Sequence, residues 1–363
     1  MVYNRRNSTM KKTIFMGMAA LLLCGTVNAT SWRVCSKPEA GANFTSVADA
    51  VASNSVFAGD TLYVEPGHVE TGNQLNINKS LTIIGPGYFL VDNNINVVNP
   101  DDAVIIRSIT ISQSNTRVYG LHIQGEVSIN AANSIVERCM MTDGIYVSGQ
   151  GNIVRQCFIN TGGITGYMAE QAIIENNIIY GDISCTYNWQ NSTFRNNAVV
   201  GGSTSYTLRS FQECNIYNNI VININTSYTT ATNPDQTVDT TWRKHFAIDA
   251  PASDGNTVRN NIISGKPNAE FLNCVFNASV EDVLIWNDAN TLEEKYKHKT
   301  PGPAVGAGVN GTTCGAYGAV NGSQAYQPAG IPQYRPYIYD ANIDETPSSN
   351  NTINASFKIK VQQ

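Results

Sequence analysis

The sequence is short of charge, short of histidine and free of long apolar runs. Of 363 residues only 14% are charged, against 43 Asn and 29 Gly, a balance that suits a turn-dense β protein and suits helical bundles poorly. The four histidines, His68, His122, His245 and His298, are not paired at metal-ligand spacing, which argues against a zinc site. No CxxC pair and no regular cysteine framework occurs, so Cys35, Cys139, Cys157, Cys185, Cys214, Cys274 and Cys314 read as small, buried apolar residues. No segment approaches 18 uninterrupted apolar residues, so no transmembrane span is expected.

What is present begins with a leader. Residues 10–29 read MKKTIFMGMAALLLCGTVNA: a basic start at Lys11 and Lys12, an apolar stretch from Ile14 to Cys24, and small residues around Val27-Asn28-Ala29. This is the pattern of a secretory signal peptide, with Met10 as the expected start, cleavage expected after Ala29, and lipidation at Cys24 the rival. A secreted location follows, in the periplasm, on the cell surface or outside the cell. Removing residues 1–29 takes away Arg5, Arg6, Lys11 and Lys12 and no acids. The remainder has 19 basic and 28 acidic residues, a net charge of −9. Such a surface repels nucleic acid and anionic membranes at long range, so neither is an expected partner.

Internal repeats determine the fold class. Six segments line up, beginning at Ile135, Ile153, Ile173, Thr193, Ile216 and Thr257, with the last turn residue at Cys139, Cys157, Asn177, Asn197, Asn219 and Asn261. These positions are spaced 18, 20, 20, 22 and 42 apart, the last gap being two coils or one coil with an insertion. The apolar residues alternate in short strands, and no LxxLxLxxN pattern is sustained, so a leucine-rich repeat is the poorer fit. The expectation is an all-β, right-handed parallel β-helix, coils stacked about 4.8 Å apart, a column of Asn running inside it and no tendency to oligomerise. Cys139 and Cys157 would occupy the same column, as stacked thiols rather than a disulfide.

Upstream, residues 44–52 have helical apolar spacing and predict a short N-terminal capping helix. Residues 300–306 and 313–317 read as the last turns of the solenoid, giving a domain from 30 to 318. A tail over 319–363 follows, with one docked strand at 356–361.

The GDTLYVEPG, SLTIIGPG, NTVRNNII and PAVGAGVNGTTCGAYG stretches resemble secreted right-handed β-helix proteins of Bacteroidetes within the pectin-lyase-like superfamily, over roughly residues 40–318. The resemblance implies fold and not reaction, because lyases, hydrolases, esterases, epimerases and adhesins share the scaffold. It also implies where a substrate groove would lie: on strands at 127–130, 145–148, 164–167, 183–186, 206–209 and 246–249. Period-two alternation points Ser128, Asn130, Tyr146, Ser148, Thr165, Tyr167, Ser184, Thr186, Thr207, Arg209, Ala247 and Asp249 outward.

That face is rich in hydroxyls and short of acids. Calcium-dependent pectate cleavage needs several converging carboxylates, and only Asp249 lies squarely there. Inverting hydrolysis needs paired acids, yet the one Asp-Asp, Asp101-Asp102, lies in an early loop and no Gly-His-Gly occurs. No metal and no cofactor is therefore expected. Between Asn225 and His245 a polar insertion interrupts the repeat, and it is expected to overhang the groove beside Arg209 and Asp249. Trp242, Arg243 and His245 stand at its end, and Tyr187 and Trp189 on a turn two coils earlier.

Aromatic faces stack on sugar rings and Arg can clamp a carboxylate or sulfate. Tyr187, Trp189, Trp242 and Arg243 are thus the candidate substrate-binding residues, and Arg209, Asp249 and His245 the candidate catalytic ones. The competing structural reading pairs Arg209 with Asp249 across coils and packs Trp242 on the barrel. Two function classes follow: a carbohydrate-associated protein that binds or cleaves a polysaccharide, as a lyase or glycoside hydrolase if it is an enzyme, or a non-catalytic structural or adhesive surface protein.

Overall fold

The structure, a computed structural model, describes residues 29–363 apart from 73, 94–96, 98, 106, 203–205, 225–230, 233–237, 240–246, 266, 320–324, 333–335, 344–351 and 362–363. The leader up to Asn28 therefore lies outside the described residues.

Three parallel sheets of ten, eight and nine strands wrap one core, each strand pairing with its counterpart in the next coil. This is the expected parallel β-helix. The first sheet runs from Ser31–Val34 to Thr257–Arg259, and its register stacks Leu62, Ile83, Val118, Val136, Val154, Ile174, Phe194, Ile216 and Val258 in one interior column. Thr193–Arg195, Asn215–Tyr217 and Thr257–Arg259 pair in succession. The gap of 42 is thus one coil carrying an insertion, of which Ala231–Thr232 and Val238–Asp239 form a small antiparallel pair.

The Asn column exists and acts as a hydrogen-bond ladder. The Asn177 amide and backbone N–H both donate to Asn197 Oδ1 (3.0 and 3.1 Å), Asn197 repeats this on Asn219 (3.0 and 2.9 Å), and Asn219 on Asn261 (3.0 and 2.8 Å). Each amide also donates to a strand carbonyl of the preceding coil, as Asn197 does to Ile174 O at 2.8 Å. Sulfur stands at both ends: Cys157 N donates to Asn177 Oδ1 at 2.9 Å, and Asn261 N approaches Cys274 Sγ at 3.4 Å. Cys139 and Cys157 are buried thiols, as are Cys35, Cys185, Cys214 and Cys314. Burial pushes the Cys139 thiol up to about 12, so it stays protonated and unreactive.

The Asn before each ladder residue has a different task. Asn176, Asn196, Asn218 and Asn260 sit at φ 53, 53, 59 and 53°, a left-handed conformation that Asn tolerates better than most residues. Their side chains bond outward to a segment that climbs the barrel wall. Asn260 Nδ2 donates to Ala307 O (2.9 Å), Asn196 Nδ2 to Thr313 O (3.3 Å) and Asn176 Nδ2 to Ala316 O (3.0 Å), while Asn218 Oδ1 accepts from Val309 N (2.9 Å). Arg138, in the same position further up, donates to Ile331 O.

Residues 300–317 are therefore not final coils. They belong to a covering layer that buries the outer face of the third sheet, where Met140, Phe158, Ile178, Ala198, Ile220 and Ile262 meet Val280, Val283, Leu284, Tyr296, Cys314 and Tyr326. Glu293, itself buried, anchors this layer by accepting from Asn93 Nδ2 (2.5 Å), Ala329 N (3.2 Å) and the Tyr326 hydroxyl. Burial raises its carboxyl above the usual range.

The short helix is present as Val47–Ala52, N-capped by Ser46, with Val47, Ala50 and Val51 in the core. Its first amides donate to buried Glu70, which His68 also contacts at 3.1 Å. The C-terminal strand, Ala355–Val361, pairs antiparallel with Pro336–Ile343 instead of with the barrel, which corrects the docked-strand expectation. The apolar alternation does make a strand, but its partner is local. Among the described residues no helix is long and apolar enough to cross a membrane.

Replacing Asn197 by Ala leaves the Asn177 N–H and the Ile174 carbonyl without their buried partner. A loss of about 2–4 kcal/mol in denaturant unfolding is expected. The exposed left-handed Asn191 (φ 50°) replaced by Ala should cost only about 1 kcal/mol. Equal losses at the two sites would contradict the ladder's role.

Candidate functional site

The second sheet supplies the candidate face. Its strands Leu75–Ile77, Ile109–Ile111, Val127–Ile129, Ile145–Gln150, Ile164–Glu170 and Ile183–Cys185 pair in succession, and single bridges carry the sheet on through Leu208 and Ile248. Parallel register then stacks Asn76, Thr110, Ser128, Tyr146, Thr165, Ser184, Arg209 and Asp249 in one outward row.

The expected outward set holds along the regular strands and fails at the last two coils, where Thr207 and Ala247 are buried. There the sheet narrows to one bridge per coil, and Thr207 packs against the Gly201 backbone, where an added Cβ would lie 2.7 Å from the Thr207 side chain.

Three tyrosines gather on the regular part of this face. The Tyr146 and Tyr167 rings lie nearly parallel, 28° apart with centroids 6.4 Å apart, and Tyr187 meets Tyr167 edge to face at 5.2 Å. Tyr167 and Tyr187 are 38% and 54% exposed. Of these only Tyr187 was singled out as a binding residue. Spacings of 21 and 20 between the three, matching the coil length, were the available signal.

Trp189 requires correction. It is fully buried rather than available on a turn, because Gly166 in the preceding coil has no side chain and the indole fills that space, 2.9 Å from where a Cβ would stand. Its Nε1 donates to Ser184 O at 3.1 Å, and its ring meets Phe194 edge-on at 5.2 Å. No ligand can stack on it.

Arg209 and Asp249 sit on adjacent rungs of the outward row, but the expected ion pair between them does not form. The guanidinium reaches back instead, its Nη1 donating to Tyr206 O (3.0 Å) and lying 3.7 Å from Asp182 Oδ2 in the preceding coil. Asp249 opens into a cavity of about 410 Å³ shared with Tyr206, Pro251, Glu270 and Phe271. Partial desolvation, reinforced by the charge of Asp254, holds the Asp249 carboxyl above the usual carboxylate range. Burial and Asp249 together raise the Tyr206 phenol.

Trp242, Arg243 and His245 fall outside the described residues. Among the described residues no group of three or more His, Cys, Asp or Glu side chains converges as metal ligands would.

The raised Asp249 carboxyl fixes the sign of a pH effect. A folded-state value above the unfolded one means that ionisation destabilises the fold as pH rises through the folded value. Asp249→Asn should therefore raise Tm relative to the parent at neutral pH, and the difference should vanish below about pH 2.5, where both states are protonated. Differential scanning calorimetry across that range checks it, and a Tm gain that persists at the acid end would contradict the assignment.

Neither a protein-family model nor a curated protein matches the sequence. Among solved structures the chain is similar to a rhamnogalacturonan lyase, at 13% identity and a TM-score of 0.44 over 75% of this chain and 95% of that one. It is similar to the pectate lyase Pel9A at 11% identity and 0.43, over 81% and 97% of the two chains. A third similarity, to XylC in complex with xylose, stands at 12% identity and 0.30 over 64% and 55%.

Proposed function

We propose that this is a secreted carbohydrate-associated β-helix protein, acting as a monomer, that holds a polysaccharide along the outer face of its second sheet. The observation that carries this reading is the tyrosine cluster on three successive coils, half-buried Tyr146 beside exposed Tyr167 and Tyr187, bordered by Ser128, Ser148, Thr165, Ser184 and Thr186. Aromatic rings pack against the apolar C–H faces of sugars, and hydroxyls answer the hydroxyls at their rims. A rigid solenoid presents such groups at a fixed pitch of about 4.8 Å, suited to a repeating polymer.

Cleavage of the bound chain is a second reading, favoured by the raised carboxyl of Asp249 at the mouth of the adjoining cavity. Asp249 would serve as the proton donor or acceptor, with Arg209 and His245 as the other candidate catalytic residues and Trp242 and Arg243 as further contacts from the insertion.

Native affinity electrophoresis against a polysaccharide panel tests the binding reading. Retardation by at least one glycan is expected, weakened roughly tenfold or more by the double substitution Tyr167→Ala, Tyr187→Ala. Both rings are exposed, so the variant's unfolding free energy should change by no more than about 0.5 kcal/mol per site. Retardation unaffected by the double substitution would overturn the assignment. New reducing ends that vanish in Asp249→Asn would establish cleavage.

A further inference from the structure

We infer that the chain seated on the tyrosine cluster is an uncharged polysaccharide rather than a polyanionic one, an inference that rests on the glycan-binding reading above and names its substrate class. The support is the distribution of charge on the face. Around Tyr146, Tyr167 and Tyr187 the outward positions are Ser128, Asn130, Ser148, Thr165, Ser184 and Thr186, all neutral donors and acceptors. The charges on and beside these strands are Glu126, whose Oε1 accepts from Ser128 Oγ at 2.7 Å, Asp143 in the turn before the Tyr146 strand, Glu170 at the end of the Tyr167 strand, and Asp182, which leads into Ser184. All four are acidic.

Asp249 adds a further carboxylate at the far end, and Arg209 is the one cation among the described residues of these rows. Its Nη1 is already directed at Asp182 and at the Tyr206 carbonyl. A polymer with one carboxylate per sugar would thus meet no row of cations, and would lie against a face and a chain that are both net negative. A neutral sugar meets no such repulsion. Its C–H faces find the tyrosine rings, and its hydroxyls find serine and threonine side chains that can each donate and accept.

The test uses the full mature chain with two sets of probes: a mixed-linkage β-glucan, a mannan and an unsubstituted xylan as neutral polymers, and polygalacturonate and alginate as acidic ones. Retention by at least one neutral polymer is expected, unchanged between about 20 and about 500 mM NaCl because no ion pair is screened. The same retention should fall roughly tenfold or more in the Tyr167→Ala, Tyr187→Ala variant. Acidic polymers held as tightly as the neutral ones or more tightly, or retention that salt weakens, would overturn the neutral class and leave the glycan-binding reading standing. Neutral retention that survives loss of both tyrosines would remove the cluster as the site. Silence on all five polymers would sink the inference and the glycan reading together.

Discussion

The coils from Cys157 to Asn261 leave polar groups at their inner turn that the next coil satisfies. The Asn197 amide and backbone N–H share one acceptor, Asn219 Oδ1, in the next coil, while the same amide reaches Ile174 in the coil before. One side chain thus ties together three layers of backbone, in an interior where an unmet donor or acceptor is costly. Register follows from this. Asn177, Asn197, Asn219 and Asn261 fix the strands that flank them, Thr193–Arg195 against Asn215–Tyr217 and Ala198–Gly201 against Ile220–Asn223.

The same turn also serves the outside. Of each Asn-Asn pair the second residue builds the ladder and the first, in the left-handed conformation, binds the covering layer. The two strand residues after the pair follow suit: in Ile178-Ile179 and Ile262-Ile263 one side chain enters the main core and the other the second cluster beneath the cover. A strand buried on both faces reads as a continuous apolar pair rather than as alternation.

That difference explains what could be read in advance and what could not. The repeat of Cys139, Cys157, Asn177, Asn197, Asn219 and Asn261 was visible because the ladder imposes residue type at a fixed interval, and with it came the fold and most of the outward set. The covering layer is not legible in the sequence: 280–331 has no repeat, and its 300–306 and 313–317 stretches read as last turns of the solenoid. Trp189 was misplaced because its burial depends on Gly166, a missing side chain in another coil, which no local pattern around Trp189 encodes. Arg209 was matched to the nearest acid by rung, whereas the side chain is long enough to turn back to Asp182. Tyr146 and Tyr167 were placed outward but not joined to Tyr187, since contact between them needs the bend of each strand and the rotamers as well as the period.

A stack of coils held only by neighbour contacts behaves as a one-dimensional array, free to fray from either end. The covering layer changes that connectivity. Its backbone meets the turn of Asn260 at Ala307 and, further along, the turn of Arg138 at Ile331, so one continuous strip is fastened to coils more than a hundred residues apart in sequence. Peeling the lowest coil away would drag the strip off the coils above it, and loosening an upper coil would release the strip from below. The strip runs like a staple down the spine of a stack of pages, and it gives a modular solenoid the cooperativity of a globular domain.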